Sequence, residues 1–214
     1  MEMMNNNNVT VVGIVTTGFE YSHEVLGEKF YRMTVAVERN SGTDDLLPVL
    51  VSERLIDVTK NYMGEQVKVN GQFRSFSVQG ETRNRLVLQI FAKEIEQVSE
   101  ESYDFNSITL NGFICKAPIY RTTPLGREIC DVLVAVNRPY GKSDYIPCIV
   151  WGRNARYLAE QRVGTQIELS GRIQSRNYEK KFDTYTETRT AYEVSVAKLE
   201  VVKEVEVKEE AEKF

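Results

Sequence analysis

The chain has 214 residues, and 27 lysines and arginines against 31 aspartates and glutamates give it a net charge of −4. No apolar run reaches the roughly 18 residues of a membrane-spanning helix, and the amino terminus lacks the basic and apolar regions of a secretory signal, so we expect a cytoplasmic protein. The charge is uneven, because residues 99–202 hold slightly more basic than acidic residues while the first half and the last twelve residues are acidic. A locally basic groove is therefore compatible with the negative total, and an anionic partner is not excluded.

Residue types that commonly carry catalysis or bind metal are sparse. His23 is the only histidine and lies in a polar loop, which argues against acid–base catalysis by histidine. The cysteines have no metal-ligand spacing and lie in apolar segments, so we predict buried thiols in a reducing compartment for Cys115, Cys130 and Cys148. Asp44 and Asp45 are interpreted as a solvated turn pair rather than a metal site. Because glycine-rich phosphate loops and nucleophile elbows are also missing, we predict no enzyme, no cofactor and no metal.

The second half of the sequence repeats the first. Residues 9–13 (VTVVG) recur 99 positions later as residues 108–112 (ITLNG). The same offset relates residues 26–27 to 125–126, 36–37 to 135–136, Arg39 to Arg138, and Pro48 to Pro147. The offset then becomes 100, which relates Gly64 to Gly164 and residues 70–71 to 170–171. We therefore predict a duplicated domain of about 100 residues, with copies at 1–98 and 107–202, a polar linker at 99–106 and a charged acidic tail at 203–214.

Along each copy the periodic signal favours strands. Runs that are apolar and β-branched, or that alternate with period two, lie at residues 33–37, 67–71, 132–136 and 167–171. Each copy has one predicted helix, over residues 53–62 in the first and 153–161 in the second, and a glycine follows each of them. Five strands with one short helix between the third and the fourth are the order of the OB-fold. We therefore predict an all-β protein of two tandem five-stranded Greek-key barrels.

Two predicted strand segments of the second copy combine aromatic rings with arginines. The residues of equal parity are Tyr145, Pro147, Ile149, Trp151 and Arg153 on one strand, and Arg172, Gln174, Arg176 and Tyr178 on the next. Tyr140 follows in the hairpin between two strands. Rings that stack on bases and guanidinium groups that meet phosphates are what sequence-tolerant binding of a single-stranded nucleic acid requires. For each ring taken alone, the alternative is packing in the core or at a sheet edge.

The segments that hold these residues resemble a known family. They are residues 120–126 (YRTTPLG), 135–140 (AVNRPY), 144–153 (DYIPCIVWGR) and 171–178 (GRIQSRNY). Over about residues 105–202 the chain is similar to the bacterial single-stranded DNA-binding protein family, in a form with two tandem OB-folds per chain. The resemblance implies a nucleoid-associated protein without catalysis that wraps single-stranded DNA with four OB-folds, which a homodimer of this chain would supply.

The resemblance assigns base stacking to four rings, which are Tyr140, Tyr145, Trp151 and Tyr178. We assign phosphate contacts to the basic side chains around them, which are Arg121, Arg138, Arg153, Arg172, Arg176 and Lys180. The sequence thus predicts sequence-independent binding and protection of single-stranded DNA in replication, repair or recombination. The alternative is an OB-fold interaction scaffold of a replisome or mobile element with weak intrinsic DNA affinity.

In the first copy the stacking positions have lost their rings. Leu46, Ser52 and Val78 stand where the second copy has three of its rings, and no ring lies near residues 41–43, where the fourth would fall. Side chains that could still give weak contact are Arg39, Arg54, Arg74, Phe76, Arg83 and Arg85. We therefore predict that the first domain is mainly structural and completes a pseudo-dimer.

The chain ends in residues 209–214 (EEAEKF). The family commonly ends in an acidic tip that recruits replication and repair proteins, so we predict docking of such partners through Phe214. Lys213 and the lack of a flexible linker depart from the family pattern. The alternative is a solvated, charged end.

Overall fold

The structure is a computed structural model that describes residues 5–79, 85–99, 103–181 and 185–203. The first domain consists of the strands β1 (Asn7–Val15), β2 (Glu20–Val25), β3 (Glu28–Glu38), β4 (Asp44–Ser52), β5 (Gln66–Val78) and β6 (Arg85–Gln97). The second consists of β7 (Phe105–Ile114), β8 (Ile119–Thr122), β9 (Glu128–Asn137), β10 (Ser143–Trp151), α1 (Gly152–Ala159), β11 (Gln166–Lys181) and β12 (Thr186–Lys203). Within the described ranges, no helix has the length and apolarity needed to cross a membrane.

Strand pairing closes each domain on itself. In the first domain the order is β1, β3, β4, β6, β5 and back to β1, and among its described strands only the β4–β6 pair is parallel. The second domain repeats this order as β7, β9, β10, β12, β11 and back to β7, again with one parallel pair. The strands β2 and β8 lie outside the rings as hairpin partners of β3 and β9. The predicted fold class, two tandem five-stranded OB-fold barrels, is confirmed.

Alternation of side chains along the strands builds the two cores. On β5 the residues Val67, Val69 and Phe73 point inward and are fully buried, and their neighbours in sequence face outward. Cys130 and Cys148 are buried free thiols, as predicted, and burial raises the pKa of Cys130 to about 11. Cys115 is only partly buried, and its Sγ lies 3.2 Å from the carbonyl oxygen of Leu133.

Two glycines that the repeat retains lie where strands cross closely. The strand register shifts immediately before Gly71 on β5 and before Gly171 on β11. A Cβ atom at Gly71 would lie 2.2 Å from the carbonyl oxygen of Phe91, and one at Gly171 would lie 2.1 Å from that of Ser195. Both distances are far below van der Waals contact, so the barrel closes at these points only with glycine.

Replacement of Gly171 by alanine is expected to lower the free energy of unfolding by about 1–3 kcal/mol, because the added methyl group must push two backbones apart. Gly18→Ala is the matched control, since a Cβ there meets nothing within 4 Å, and we expect it to change stability by less than about 0.5 kcal/mol. Urea unfolding followed by tryptophan fluorescence measures both values. Equal stability of the two variants would contradict this account of barrel closure.

The helix predicted for residues 53–62 of the first domain is wrong, and the structure has turns there. The Asp57 carboxylate accepts hydrogen bonds from the backbone N–H and the hydroxyl of Thr59, and the Asn61 side chain accepts one from the N–H of Met63. These local bonds compete with helical hydrogen bonds, and β-branched residues in the segment weaken the helix further. In the second domain α1 forms and buries Ala155 and Leu158.

A ladder between β1 and β7 joins the two barrels into one twelve-stranded sheet. Residues 7–12 pair antiparallel with residues 105–110, so the strand already begins at Phe105, inside the linker predicted at 99–106. Val9 pairs with Ile108, which is its equivalent in the repeat. The pseudo-twofold axis of the duplication therefore passes through this pair of residues.

Two buried carboxylates, Asp45 and Asp144, fasten the domains to each other reciprocally. Asp45 accepts a 2.6 Å hydrogen bond from the backbone N–H of Ser175, and Asp144 accepts a 2.7 Å bond from that of Ser75. Ser75 and Ser175 are repeat equivalents, as are the two aspartates. The interpretation of Asp45 as part of a solvated turn is wrong, because the side chain is 1% exposed and lies at the domain interface.

Candidate nucleic-acid interface

The outer face of β10 carries two of the predicted rings. Ile146, Cys148 and Val150 point into the barrel and are buried, while Tyr145 and Trp151 point outward with 44% and 36% of their surface exposed. The indole Nε1 of Trp151 lies 3.2 Å from the Ser195 hydroxyl on β12 and donates a hydrogen bond to it. This bond draws the ring across the neighbouring strand, so the indole covers the sheet face without entering the core.

The strands β10, β12 and β11 lie side by side and share this face. Ile149 pairs with Ser195, and Ser195 pairs in turn with Arg172. Arg172 and Arg176 point outward, on the side opposite to the buried Ile173. Further along β11, on the same side, Tyr178 keeps 38% of its surface exposed, and the Arg176 guanidinium lies 6.0 Å from the centre of its ring. The structure thus brings Tyr145, Trp151 and Tyr178 to one surface.

The fourth ring, Tyr140, lies in the hairpin that joins β9 to β10. It sits in a single 3-10 turn, Pro139–Gly141, and its φ of +64° is in the left-handed region that costs about 1–2 kcal/mol for a residue with a Cβ atom. Because Tyr140 is 88% exposed, packing of its ring does not offset the conformational cost. All four predicted rings therefore remain accessible, which packing alone does not explain.

Most of the predicted phosphate-binding arginines already have a carboxylate partner. Guanidinium-to-carboxylate distances are 2.5 Å for Arg121–Asp131, 3.2 Å for Arg138–Asp144, 3.0 Å for Arg172–Asp45 and 4.0 Å for Arg176–Glu193. Arg153 is exposed beside Trp151 and has no ion pair within the described part of the chain, and Lys180 is exposed on the β11–β12 hairpin. A guanidinium has five N–H donors, so a paired arginine can still bind a phosphate, but the local positive potential is reduced.

The sequence comparison of the two copies missed one ring. Leu46, Ser52 and Val78 of the first domain do stand at the positions of Tyr145, Trp151 and Tyr178, as the repeat indicated. However, Phe91 on β6 also lies on the outer face of the first domain, with the Arg74 guanidinium 3.7 Å above the centre of its ring. The parallel β4–β6 pairing gives the register that identifies this position, and no local sequence pattern contains that information. Arg83 and Phe214 lie outside the described residues.

Comparison with known proteins agrees with this geometry. Residues 105–202 match the model of the Single-strand binding protein family. The Single-stranded DNA-binding protein of Oceanobacillus iheyensis is 36% identical over 81 residues, which are 35% of this chain and 50% of that protein. The Single-stranded DNA-binding protein of Clostridium tetani is 37% identical over 86 residues, which are 37% of this chain and 59% of that protein. The chain thus spans about half the length of the curated relatives it matches.

The fold is similar to the solved structure of the wild-type single-stranded DNA binding protein from Thermus aquaticus, with a TM-score of 0.73 and 19% sequence identity. The superposition covers 94% of this chain and 95% of the Thermus aquaticus chain. At this identity the likeness shows the fold, and it extends over both domains. Residues 105–202 thus resemble the single-strand binding protein family, and the chain shares the fold of the Thermus aquaticus protein over 94% of its length.

Proposed function

We propose that the protein binds single-stranded DNA without sequence preference, through the outer face of its second domain. The observation that carries the proposal is the set of four accessible rings, three of them on one sheet face among arginines. Bases that stack on such rings gain roughly 1–3 kcal/mol each, and every base has a flat face to stack. Arg153, Arg172, Arg176 and Lys180 would contact the phosphates, with Arg121 and Arg138 beside them.

Binding of this kind protects a strand without changing it. Stacking and phosphate contact need no readout of base edges, which agrees with a coating role in replication, repair or recombination. We propose no catalytic step on the bound strand. A homodimer would present four barrels to the DNA, and docking of replication or repair proteins through Phe214 stays a prediction, since residues 204–214 are not among those described.

The salt dependence of binding tests the proposal. The logarithm of the affinity for a labelled thymidine oligonucleotide, measured by fluorescence anisotropy, is expected to fall by about 0.7 per log unit of salt for each neutralised phosphate. Arg153→Gln is expected to make this slope shallower by about 0.7, because its exposed guanidinium lies next to Trp151.

Arg162→Gln is the matched control for this test. Arg162 is exposed, lies beyond the opposite end of α1 and loses the same charge, and we expect no change in slope. Duplex DNA should compete poorly with the single strand. A protein that serves only as an interaction scaffold would bind the oligonucleotide weakly at low salt, and that result would refute the proposal.

A further inference from the structure

Each domain carries an aromatic ring on its outer face, but the two rings belong to different strands of the barrel. Leu50 pairs with Phe91 across β4 and β6, whereas the equivalent pair in the second domain is Ile149 with Ser195. Phe91 therefore stands where the second domain has Ser195. In the second domain Trp151 on β10 lies over Ser195 of the adjacent strand. Both domains therefore have a ring over the same part of the barrel, which is Phe91 of β6 in the first domain and Trp151 of β10 in the second.

Phe91 belongs to a continuous stack of rings. The ring of Phe30 on β3 lies 5.9 Å from that of Phe91, and His23 on β2 stacks on Phe30 at 5.1 Å with an angle of 11° between the ring planes. On the outer side, the Arg74 guanidinium covers Phe91 at 3.7 Å and is oriented by hydrogen bonds to the Gln72 side chain. The stack fixes the position of a planar cationic group at the surface.

A cavity of about 350 Å³ opens at this stack, within the size range of small-ligand sites. Its lining includes Arg32, Arg74, Phe76 and Phe91, and Arg138 from the second domain. Arg32 and Arg74 form no ion pair with any residue in the described ranges, in contrast to the paired arginines of the second domain. Phe76 keeps 36% of its surface exposed. The cavity thus combines accessible rings with two guanidinium groups, those of Arg32 and Arg74, that form none of the ion pairs of the described residues, and with Arg138, which is paired with Asp144.

We propose that this cavity is a second base-binding site, in which a base of the same single strand stacks on the Arg74 guanidinium above Phe91 and Arg32 contacts the adjacent phosphate. Guanidinium planes and aromatic rings are both platforms for unpaired bases. Arg138 lines the cavity and belongs to the second domain, so the strand would pass from one domain to the other at this point. The inference rests on the proposed function and replaces the mainly structural role predicted for the first domain.

A tryptophan placed at the cavity reports directly on this site. Trp151 is the only tryptophan of the chain, so Phe76→Trp in a Trp151→Phe background puts the sole indole beside Arg74. Saturation with a long thymidine oligonucleotide is expected to quench this fluorescence. Tyr62→Trp in the same background is the control, because Tyr62 lies in the β4–β5 connection, edge-on to Phe19, and its fluorescence should stay constant.

Anisotropy recorded on the same samples separates the two proposals. If the labelled oligonucleotide binds but the indole at position 76 is not quenched, the second site is refuted and the proposed function stands. If nothing binds to the unmodified protein, the proposed function fails and this inference fails with it.

Substitutions of Arg74 give an independent measure of base stacking at this site. Arg74→Lys keeps the charge but removes the stacking plane, so we expect the affinity for a long oligonucleotide to fall about tenfold, nearly as far as with Arg74→Ala. Short oligonucleotides that fill only the second domain should bind as before. Lys60→Ala with Lys68→Ala removes charge elsewhere on the first domain and should have little effect. Full affinity of Arg74→Lys together with loss in Arg74→Ala would overturn the stacking role.

Discussion

Replacing Trp151 and Tyr178 by alanine together is expected to weaken the binding of a long thymidine oligonucleotide by about 2–6 kcal/mol, which is roughly thirtyfold or more. Both rings lie on the outer face, so their truncation removes two stacking platforms and leaves the barrel core intact. Fluorescence anisotropy measures the loss. Thermal unfolding should show nearly unchanged stability, because the polar contacts that are lost, from the indole to Ser195 and from Tyr178 to Arg189, lie at the surface.

The double variant Tyr103→Ala with Tyr157→Ala is the control for this experiment. Both rings are exposed, one just before β7 and one on α1, so the variant removes the same kind of surface from places outside the proposed face. We expect wild-type affinity. If both double variants bind equally well, the rings of the second domain do not stack on bases, and the site assignment is wrong.

The second large effect is expected on stability, from Asp45→Ala. The carboxylate of Asp45 is buried and accepts hydrogen bonds from the Ser175 backbone and from the guanidinium groups of Arg39 and Arg172. Its removal leaves the partly buried N–H of Ser175 and two arginines without this partner, so the free energy of unfolding should fall by about 3 kcal/mol. The two arginines keep partial exposure, which places the value at the low end of the range for buried ion pairs.

Asp44→Ala provides the matched control, since the neighbouring aspartate is exposed and forms no ion pair within the described part of the chain. We expect its effect to stay below about 0.5 kcal/mol. Urea unfolding gives both values.

Asp144 is less well compensated than Asp45, because its Oδ2 lies 3.2 Å from Nε of Arg138 without the alignment of a hydrogen bond, and burial raises the pKa of its carboxyl.

Repetition and alternation made the architecture predictable from the sequence. The offset of 99 predicts two copies of one fold, and period-two runs such as residues 67–71 predict which side chains face the core. The helix predicted for residues 53–62 failed because its apolar spacing is compatible with a helix, while Asp57 and Asn61 bond to the backbone locally. Hydrogen bonds between side chains and nearby backbone are poorly visible in an apolar pattern.

The sequence predicted the candidate site only for residues that lie on the same strand. Parity within a single strand placed Tyr145 and Trp151 on one side correctly. The position of Phe91 on the outer face could not be predicted, because it depends on which residue of β6 pairs with Leu50. This parallel pairing connects segments some forty residues apart. The burial of Asp45 was equally invisible, because its partners Ser175 and Arg172 belong to the other domain. Contacts between distant segments follow from the assembled barrels and not from local composition.

The ladder between β1 and β7 has a consequence for how the two barrels could diverge. Two separate copies of one barrel that pair about a true twofold axis must present identical residues on both sides, and each substitution appears twice. In a single chain the two sides mutate independently, so Asp45 could gain a second arginine while Asp144 kept one. The pairing also becomes intramolecular, with an effective concentration set by the short connection instead of the protein concentration. The paired barrels should therefore stay together at dilutions at which separate subunits would dissociate.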